Sequence, residues 1–330
     1  VKIRIVIPTP PAFNNGNKIT AVRLGRIVRA LGHKVTFEPR YTGAPCDMLI
    51  ALHARRSARS VRAYHERYPN NPLVLILTGT DIYHDIKIDA RAQPSLELAT
   101  RLVVLQQQAL EELPKRLHSK TRIIYQSAEP YAPQPPNPER TFRVCVIGHL
   151  RKEKDPLCTP WALRFLPPTS KIEVLHIGKV LDKKLGVEAR QVAARNPRYR
   201  LAGELPYWMT RRVLAHSHLL VISSHMEGSS NVLSEALASS VPVIASKIPG
   251  LIGTLGKDYP GYFRVGDTAD LARLLHRAET DKIFYHTLKR RCARVAPLVQ
   301  PRREINSWKL LLRELEKWST THAAHERGAS

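Results

Sequence analysis

Short apolar runs alternate with longer amphipathic stretches along almost the whole chain. The run IRIVI (3–7) predicts a buried strand, and a polar Pro/Asn/Gly loop (8–18) follows it. Leu24, Ile27, Val28 and Leu31 then recur at helical spacing, Gly32 ends that helix, and HKVTFEP opens a second strand. This is a βαβ unit. The alternation continues through DMLIALH (47–53), a helix near 57–67, LVLILTGTD (73–81), a helix near 93–100, RLVVLQ (101–106) and RIIYQS (122–127). Strands that are apolar throughout and separated by helices call for a parallel sheet covered on both faces.

PYAPQPPNP (130–138) holds five prolines in nine residues, which continues neither a strand nor a helix and suits a stiff linker. Beyond it the alternation restarts with FRVCVIGHL (142–150), IEVLHIG (172–178), YRLAGEL (199–205), HLLVISS (218–224) and VPVIAS (241–246). Two doubly wound α/β domains are therefore expected, at 1–130 and 142–302, joined by a linker at 131–141. Ile305, Trp308, Leu311, Leu312, Leu315 and Trp318 share one helical face. That helix, 303–318, is expected to dock back on the first domain and to leave a loose tail at 319–330. Ligands of open α/β sheets bind beyond the carboxyl ends of the strands, so the expected site is a cleft faced by both sheets.

Charge modifies this picture. Lys and Arg number 52 against 28 Asp and Glu, a formal net charge of +24, while 43% hydrophobic residues exclude a disordered polycation. Anionic small molecules, nucleic acid and an anionic membrane all fit such a surface. Aromatics are only 6% and are not interleaved with basic residues as a stacking platform requires, which argues against nucleic acid. No apolar run approaches the roughly 18 residues of a membrane span, and the N-terminus lacks the pattern of a signal peptide. A soluble cytoplasmic protein is expected. Cys46, Cys145, Cys158 and Cys292 are scattered like reduced thiols, and His322, His325 and Glu326 do not have the spacing of a metalloprotease helix.

The chemistry concentrates in SSHMEGSSNVLSEALASSVPVIAS (223–246). A strand ends at Ser223 and Ser224, a loop carries Glu227 and Gly228, and a helix begins near Ser230. Free N–H groups and the dipole at that helix start suit a diphosphate, and Gly228 permits close approach. Ser229, Ser230 and Asn231 either cap the helix or donate to phosphate oxygens, with Val232 beside them. Glu227 and Glu235 flank the turn with seven residues between them, a spacing suited to gripping hydroxyls on either side of a diphosphate. In the first domain, PPAFNNGNKIT (10–20) is either a plain βα loop or a loop whose Gly16 and Asn17 approach a phosphate, with Thr20 and Arg23 one turn along. His53, Arg55 and Arg56 end a strand, where arginines suit a phosphate-bearing ligand unless their placement is chance.

The Glu227/Glu235 segment resembles the nucleotide-sugar motif of retaining glycosyltransferases of family 4. That resemblance implies an α/β chain with the GT-B fold: two facing Rossmann-like, doubly wound parallel-sheet domains with a cleft between them. It places donor-sugar contact on Glu227 and ribose contact on Glu235. VIGHLRKEKD resembles the family's Gly-Arg-Leu … Glu-Lys-Gly turn, which maps diphosphate binding onto Gly148 and Lys154. His149 stands at the family's arginine and Asp155 at its final glycine, so neighbouring Arg151 is expected to supply the missing charge. Gly203, Glu204 and Leu205 fall where the family holds the nucleobase, or else form only a turn. TGTDIYHD (78–85) lies where the family commonly has a His-Asp pair, and Thr80 and Asp81 occupy it here. Threonine removes a potential base, which fits an acceptor that is already anionic. Asp81 alternatively caps the following segment.

Together TGTDIY, LHARRS, VIYQSAEP, VIGHLRKEKDP, NPRYRLAGELP, EGSSNVLSEALA and DYPGYFRVGDTADLARLL resemble the selenosugar synthases of selenoneine biosynthesis. The resemblance covers the chain from Ile3 to about Leu315. It implies transfer from a UDP-N-acetylhexosamine to selenophosphate, with release of UDP and phosphate and no cofactor or metal, and with Asp81 or His53 orienting a water. The alternatives are a family 4 enzyme with a hydroxyl acceptor, working in solution or at a membrane surface, and a non-catalytic anion or nucleic-acid binding module.

Overall fold

The computed structural model describes residues 1–8 and 16–328, with side chains as far as Thr320. Residues 1–126 and the chain from Pro301 onward form one compact unit, and residues 127–300 form the other.

In the first unit, β1 (Lys2–Val6), β2 (Lys34–Glu38), β3 (Met48–Leu52), β4 (Leu73–Ile76), β5 (Arg101–Val104) and β6 (Thr121–Ile123) make a parallel sheet in the order β2-β1-β3-β4-β5-β6. Side chains alternate across it as the period of a strand requires. Leu49, Ala51, Leu73 and Leu75 pack with Val61, Tyr64 and Leu96 on one face. Met48, Ile50, Leu52, Val74 and Ile76 pack with Leu24 and Val28 on the other. Trp308, Leu311, Leu312 and Leu315 join this second face, so the last helix, Pro301–Gly328, covers the first sheet. Its position is fixed by polar bonds as well. Arg23 donates to both oxygens of buried Glu304 at 3.0 and 3.3 Å, and Arg101 and Arg122 both reach Glu314. Positions 319–328, expected to be a loose tail, continue this helix; no proline or glycine interrupts it before Gly328.

The second unit repeats the plan with β7 (Phe142–Ile147), β8 (Ile172–Ile177), β9 (Tyr199–Gly203), β10 (Leu219–Ile222), β11 (Val243–Ser246) and the short β12 (Tyr262–Phe263) in the order β12-β11-β10-β7-β8-β9, again all parallel. The proline-rich segment lies on this unit: Gln134 N–H donates to the Ala215 carbonyl at 2.7 Å, and the His218 ring bonds the Pro136 carbonyl at 2.8 Å. All four cysteines are buried and unpaired.

In each sheet the chain leaves a central strand in one direction and returns to its other side, so the order reverses between β1 and β3 and between β7 and β10. At such a reversal the loops leaving the two neighbouring strands diverge and open a crevice at their carboxyl ends.

The docking of the last helix makes a paired prediction. Leu315 is wholly buried whereas Leu310, on the same helix, is 67% exposed. Leu315→Ala should cost about 2–5 kcal/mol and Leu310→Ala less than about 0.5 kcal/mol, measured as loss of first-unit stability in urea.

Candidate functional site

The reversal between β7 and β10 brings together the two motif segments of the second unit. The loop after β7 tightens into a turn at Lys152–Lys154 and leaves it through Asp155, whose φ of 43° and ψ of 59° are left-handed. The resemblance expects a glycine here, and aspartate is among the few other residues that tolerate the left-handed conformation. The loop after β10 is sewn to that turn. Ser223 Oγ donates to the Lys154 and Asp155 carbonyls at 3.1 and 2.9 Å, and His225 N–H donates to the Glu153 carbonyl at 2.9 Å. Lys154 Nζ pairs with Glu227 Oε1, which also accepts from buried Ser224 at 2.7 Å. Gly250 holds Glu227 from behind, since a Cβ there would overlap the Glu227 carbonyl. Arg151 and Glu153 remain half-exposed, with a long contact of 3.9 Å.

Three glycines knit the neighbouring strand ends. Gly178 N–H donates to the Gly203 carbonyl at 2.8 Å, and a Cβ on Gly178 would collide with the Gly148 carbonyl. The His149 ring accepts from Lys179 N–H at 3.1 Å, so it braces the loop. Buried His176 bonds the Gly148 carbonyl through Nε2 and the Tyr199 hydroxyl through Nδ1, at 3.1 and 2.8 Å. These partners fix the neutral ring with its proton on Nε2. Burial lowers its pKa to about 4.

Past Glu227, buried Gly228 and Ser230 lead into the helix Asn231–Ala238, and Ser230 stands at its N-cap without a side-chain capping bond. Ser229, Asn231 and Val232 are partly exposed. Glu235 is buried on this helix beside the Tyr207 hydroxyl, which Arg211 approaches at 3.3 Å. Arg211 is anchored in turn to the Glu129 carbonyl and to Ser239. Glu204 is exposed and Leu205 partly so, immediately before this tyrosine.

In the first unit the expected residues divide. Gly16 and Asn17 open the helix Gly16–Ala30 at the surface, while positions 10–15 of the expected loop lie outside the described residues. Thr20 is turned to Gln126 and Arg23 to Glu304, so both pack the fold instead of lining a surface. Asp81 has no exposed area. One of its oxygens accepts from the N–H groups of Thr78 and Gly79 at 2.9 and 2.8 Å, the other from Ala54 N–H at 3.1 Å. These bonds end β4 at Ile76, short of the expected extent, and complete burial keeps the Asp81 carboxylate from the surface. It organises two loops.

His53 sits at φ 72° and is 2% exposed. Its Nδ1 accepts from Arg56 N–H, and its Nε2 faces Thr80 Oγ1 at 3.1 Å and Asp85 Oδ2 at 3.7 Å. Burial lowers its pKa against the opposing charge of Asp81. Asp85 was not anticipated. It pairs with Arg55 at 3.0 Å and with His84 at 3.1 Å, and Arg55 also approaches Asp89 at 3.7 Å. Arg55 is thus already neutralised, whereas exposed Arg56 has no ion-pair partner among the described residues.

Residues 127–295, just over half of the chain, match the family Glycosyl transferases group 1. This chain belongs to that family. Among solved structures, HepE of Anabaena, crystallised with UDP and glucose, is 15% identical with a TM-score of 0.74 over 96% of this chain and 99% of its own. Sucrose-phosphate synthase of Thermosynechococcus elongatus is 16% identical with a TM-score of 0.76 over the same shares. A glycosyltransferase of Rickettsia africae is 12% identical with a TM-score of 0.73 over 96% of this chain and 98% of its own. The fold of this group 1 glycosyl transferase is GT-B, as the sequence led us to expect. No helix among its described residues is long and apolar enough to cross a membrane, and no cluster of three or more His, Cys, Asp or Glu there is arranged to hold a metal ion.

Several polar residues of this glycosyl transferase escaped sequence reasoning. His84 and Asp85 stand inside TGTDIYHD, but the resemblance points only to Thr80 and Asp81 there. Ser223 and Ser224 look like the end of a strand, and His176 alternates like a core residue.

His176 makes acid sensitivity testable. Above pH 6.5 the ring is neutral in folded and unfolded chains and its titration contributes nothing. As pH falls from about 6.5 toward 4, the unfolded chain binds a proton that the folded unit refuses, so stability is lost, by up to about 3 kcal/mol. Urea unfolding of the second unit should weaken more steeply over this window in the wild type than in His176→Gln.

Proposed function

We propose that this group 1 glycosyl transferase is a selenosugar synthase, joining selenophosphate to the anomeric carbon of a UDP-N-acetylhexosamine. The observation that carries the donor half is the pairing of Lys154, Ser224 and Glu227 at a strand-order reversal beside the start of the helix Asn231–Ala238. A diphosphate competes with Glu227 for Lys154 and takes further donors from that helix start, with Arg151 adding charge. Released from the lysine, Glu227 grips sugar hydroxyls, while Glu235 beside Tyr207 addresses the ribose. Gly148, Gly203, Glu204 and Leu205 shape the nucleotide's path. HepE structures carrying UDP and UDP-glucose support this donor class.

For the acceptor, the support is chemical. Thr80 stands at the family's histidine, Asp81 is sealed, and Arg56 offers an unpaired guanidinium. A hydroxyl acceptor must lose a proton, whereas selenophosphate arrives anionic with a soft, nucleophilic selenium. Selenium attacks C1 and the bond from C1 to the diphosphate oxygen breaks, with its electron pair leaving on UDP. Positioning and stabilisation of that departing charge supply the catalysis. Water then cleaves the phosphorus–selenium bond. The resemblance to selenosugar synthases along the chain is the basis for choosing selenium.

Mass spectrometry of a reaction with UDP-GlcNAc and fresh selenophosphate tests this reading, and a selenium-bearing sugar formed with UDP is the expected result. UDP formed without selenium transfer would return the enzyme to a hydroxyl acceptor. Lys154→Ala should weaken UDP binding roughly 10- to 100-fold by calorimetry, since a charge-assisted bond is lost. Protein charges meet the diphosphate here, so turnover should survive EDTA; loss that added metal restores would contradict this.

A further inference from the structure

The first unit carries a polar chain at the carboxyl ends of β3 and β4 that the scheme above leaves unused. Asp81–Asp85 is one π-helical turn, closed by Ile86 N–H donating to the Asp81 carbonyl. Such turns are rare and often mark functional sites. The turn sets two carboxylates in different roles: Asp81 is consumed by loop N–H groups, while Asp85, only 5% exposed, holds His84 through Nδ1 at 3.1 Å. His84 itself is 59% exposed. With Nδ1–H donated to Asp85, its Nε2 lone pair is available at the surface.

The other Asp85 oxygen approaches Arg55 at 3.0 Å and His53 at 3.7 Å but has no aligned hydrogen bond. The carboxylate thus bridges Arg55, His53 and His84 and is placed to support a developing imidazolium on His84. His53 and Arg55 from the loop after β3 face this carboxylate, and Asp89, clasped by Arg91, faces Arg55. Of the histidines on this loop pair, buried His53 has its Nε2 on Thr80, and only His84 presents an open ring nitrogen.

We propose that His84, oriented by Asp85, is the general base that activates water to cleave the phosphorus–selenium bond after glycosyl transfer; this rests on the selenophosphate reading above. Water oxygen attacks phosphorus, the bond to selenium breaks, and its electron pair stays on selenium as the sugar selenolate. The proton lost by water goes to His84 Nε2 and from there to the departing phosphate or to solvent. No redox change occurs.

The test measures phosphate and UDP separately in single-turnover reactions with selenophosphate and UDP-GlcNAc, using wild type, His84→Asn and His84→Ala. His84 is exposed, so both variants should fold, and circular dichroism checks it. Phosphate release should fall about 100-fold in the variants while a sugar one phosphoryl group heavier accumulates. Imidazole should partly restore phosphate release to His84→Ala, which a merely structural role would not allow. Asp85→Asn should act in the same direction and alter the pH profile of phosphate release. Phosphate and UDP appearing in step at wild-type rates in both His84 variants would overturn the base while leaving the selenosugar reading intact. Failure of the wild type to join selenium to carbon would overturn the reading and the base with it.

Discussion

The constraint on which the site depends is the reversal of strand order in each parallel sheet. A chain that winds outward from a central strand and returns to its other side must leave two adjacent strand ends whose loops diverge. In the second unit those strands are β7 and β10, and every residue proposed above to hold the donor, from Gly148 to Glu235 apart from the Gly203–Leu205 turn, lies in a loop or helix that leaves one of them. In the first unit they are β1 and β3, and β3 delivers His53, Arg55 and Arg56. The chemistry is placed by topology before any side chain is chosen.

Topology alone would leave the loops mobile, and buried serines supply the rigidity. Ser223 ties the β10 loop to the backbone of the Lys152–Lys154 turn, Ser224 orients Glu227, and Ser246 on β11 holds the Ser224 carbonyl at 2.6 Å. Small hydroxyls suit this work, because each satisfies a backbone or carboxylate group in space too tight for a longer side chain. The Lys154–Glu227 pair sits within this frame, partly shielded from water. Each charge satisfies the other, so neither stands as an isolated, half-buried charge.

The sheets were legible because central strands such as β3, β4, β10 and β11 are buried on both faces and read as unbroken apolar runs. What blurred was where each run stops. LVLILTGTD reads as strand through Asp81, yet β4 ends at Ile76 because the Asp81 carboxylate captures the N–H groups that a longer strand would offer its neighbour. The last helix was visible as an apolar face, and its continuation to Gly328 was not, since polar residues at a helix end carry no periodic signal. Thr20 and Arg23 illustrate a further limit. Spacing puts them one turn from a candidate loop, but which side of a helix meets Gln126 or Glu304, more than a hundred residues away, is decided by packing.

Asp81 and Asp85 show why residue type and position underdetermine role. Both are aspartates, both are buried, and a single turn separates them. The first faces backbone N–H groups on each side, so its charge is spent fixing the loops after β3 and β4. The second faces the side chains of His84, Arg55 and His53. Both sit in the single π-helical turn that Ile86 N–H closes on the Asp81 carbonyl, yet one carboxylate meets backbone of the loops and the other meets side chains. Two identical residues in one turn thus differ in their partners, and partners set by the folding of separate loops are not written in residue type or spacing.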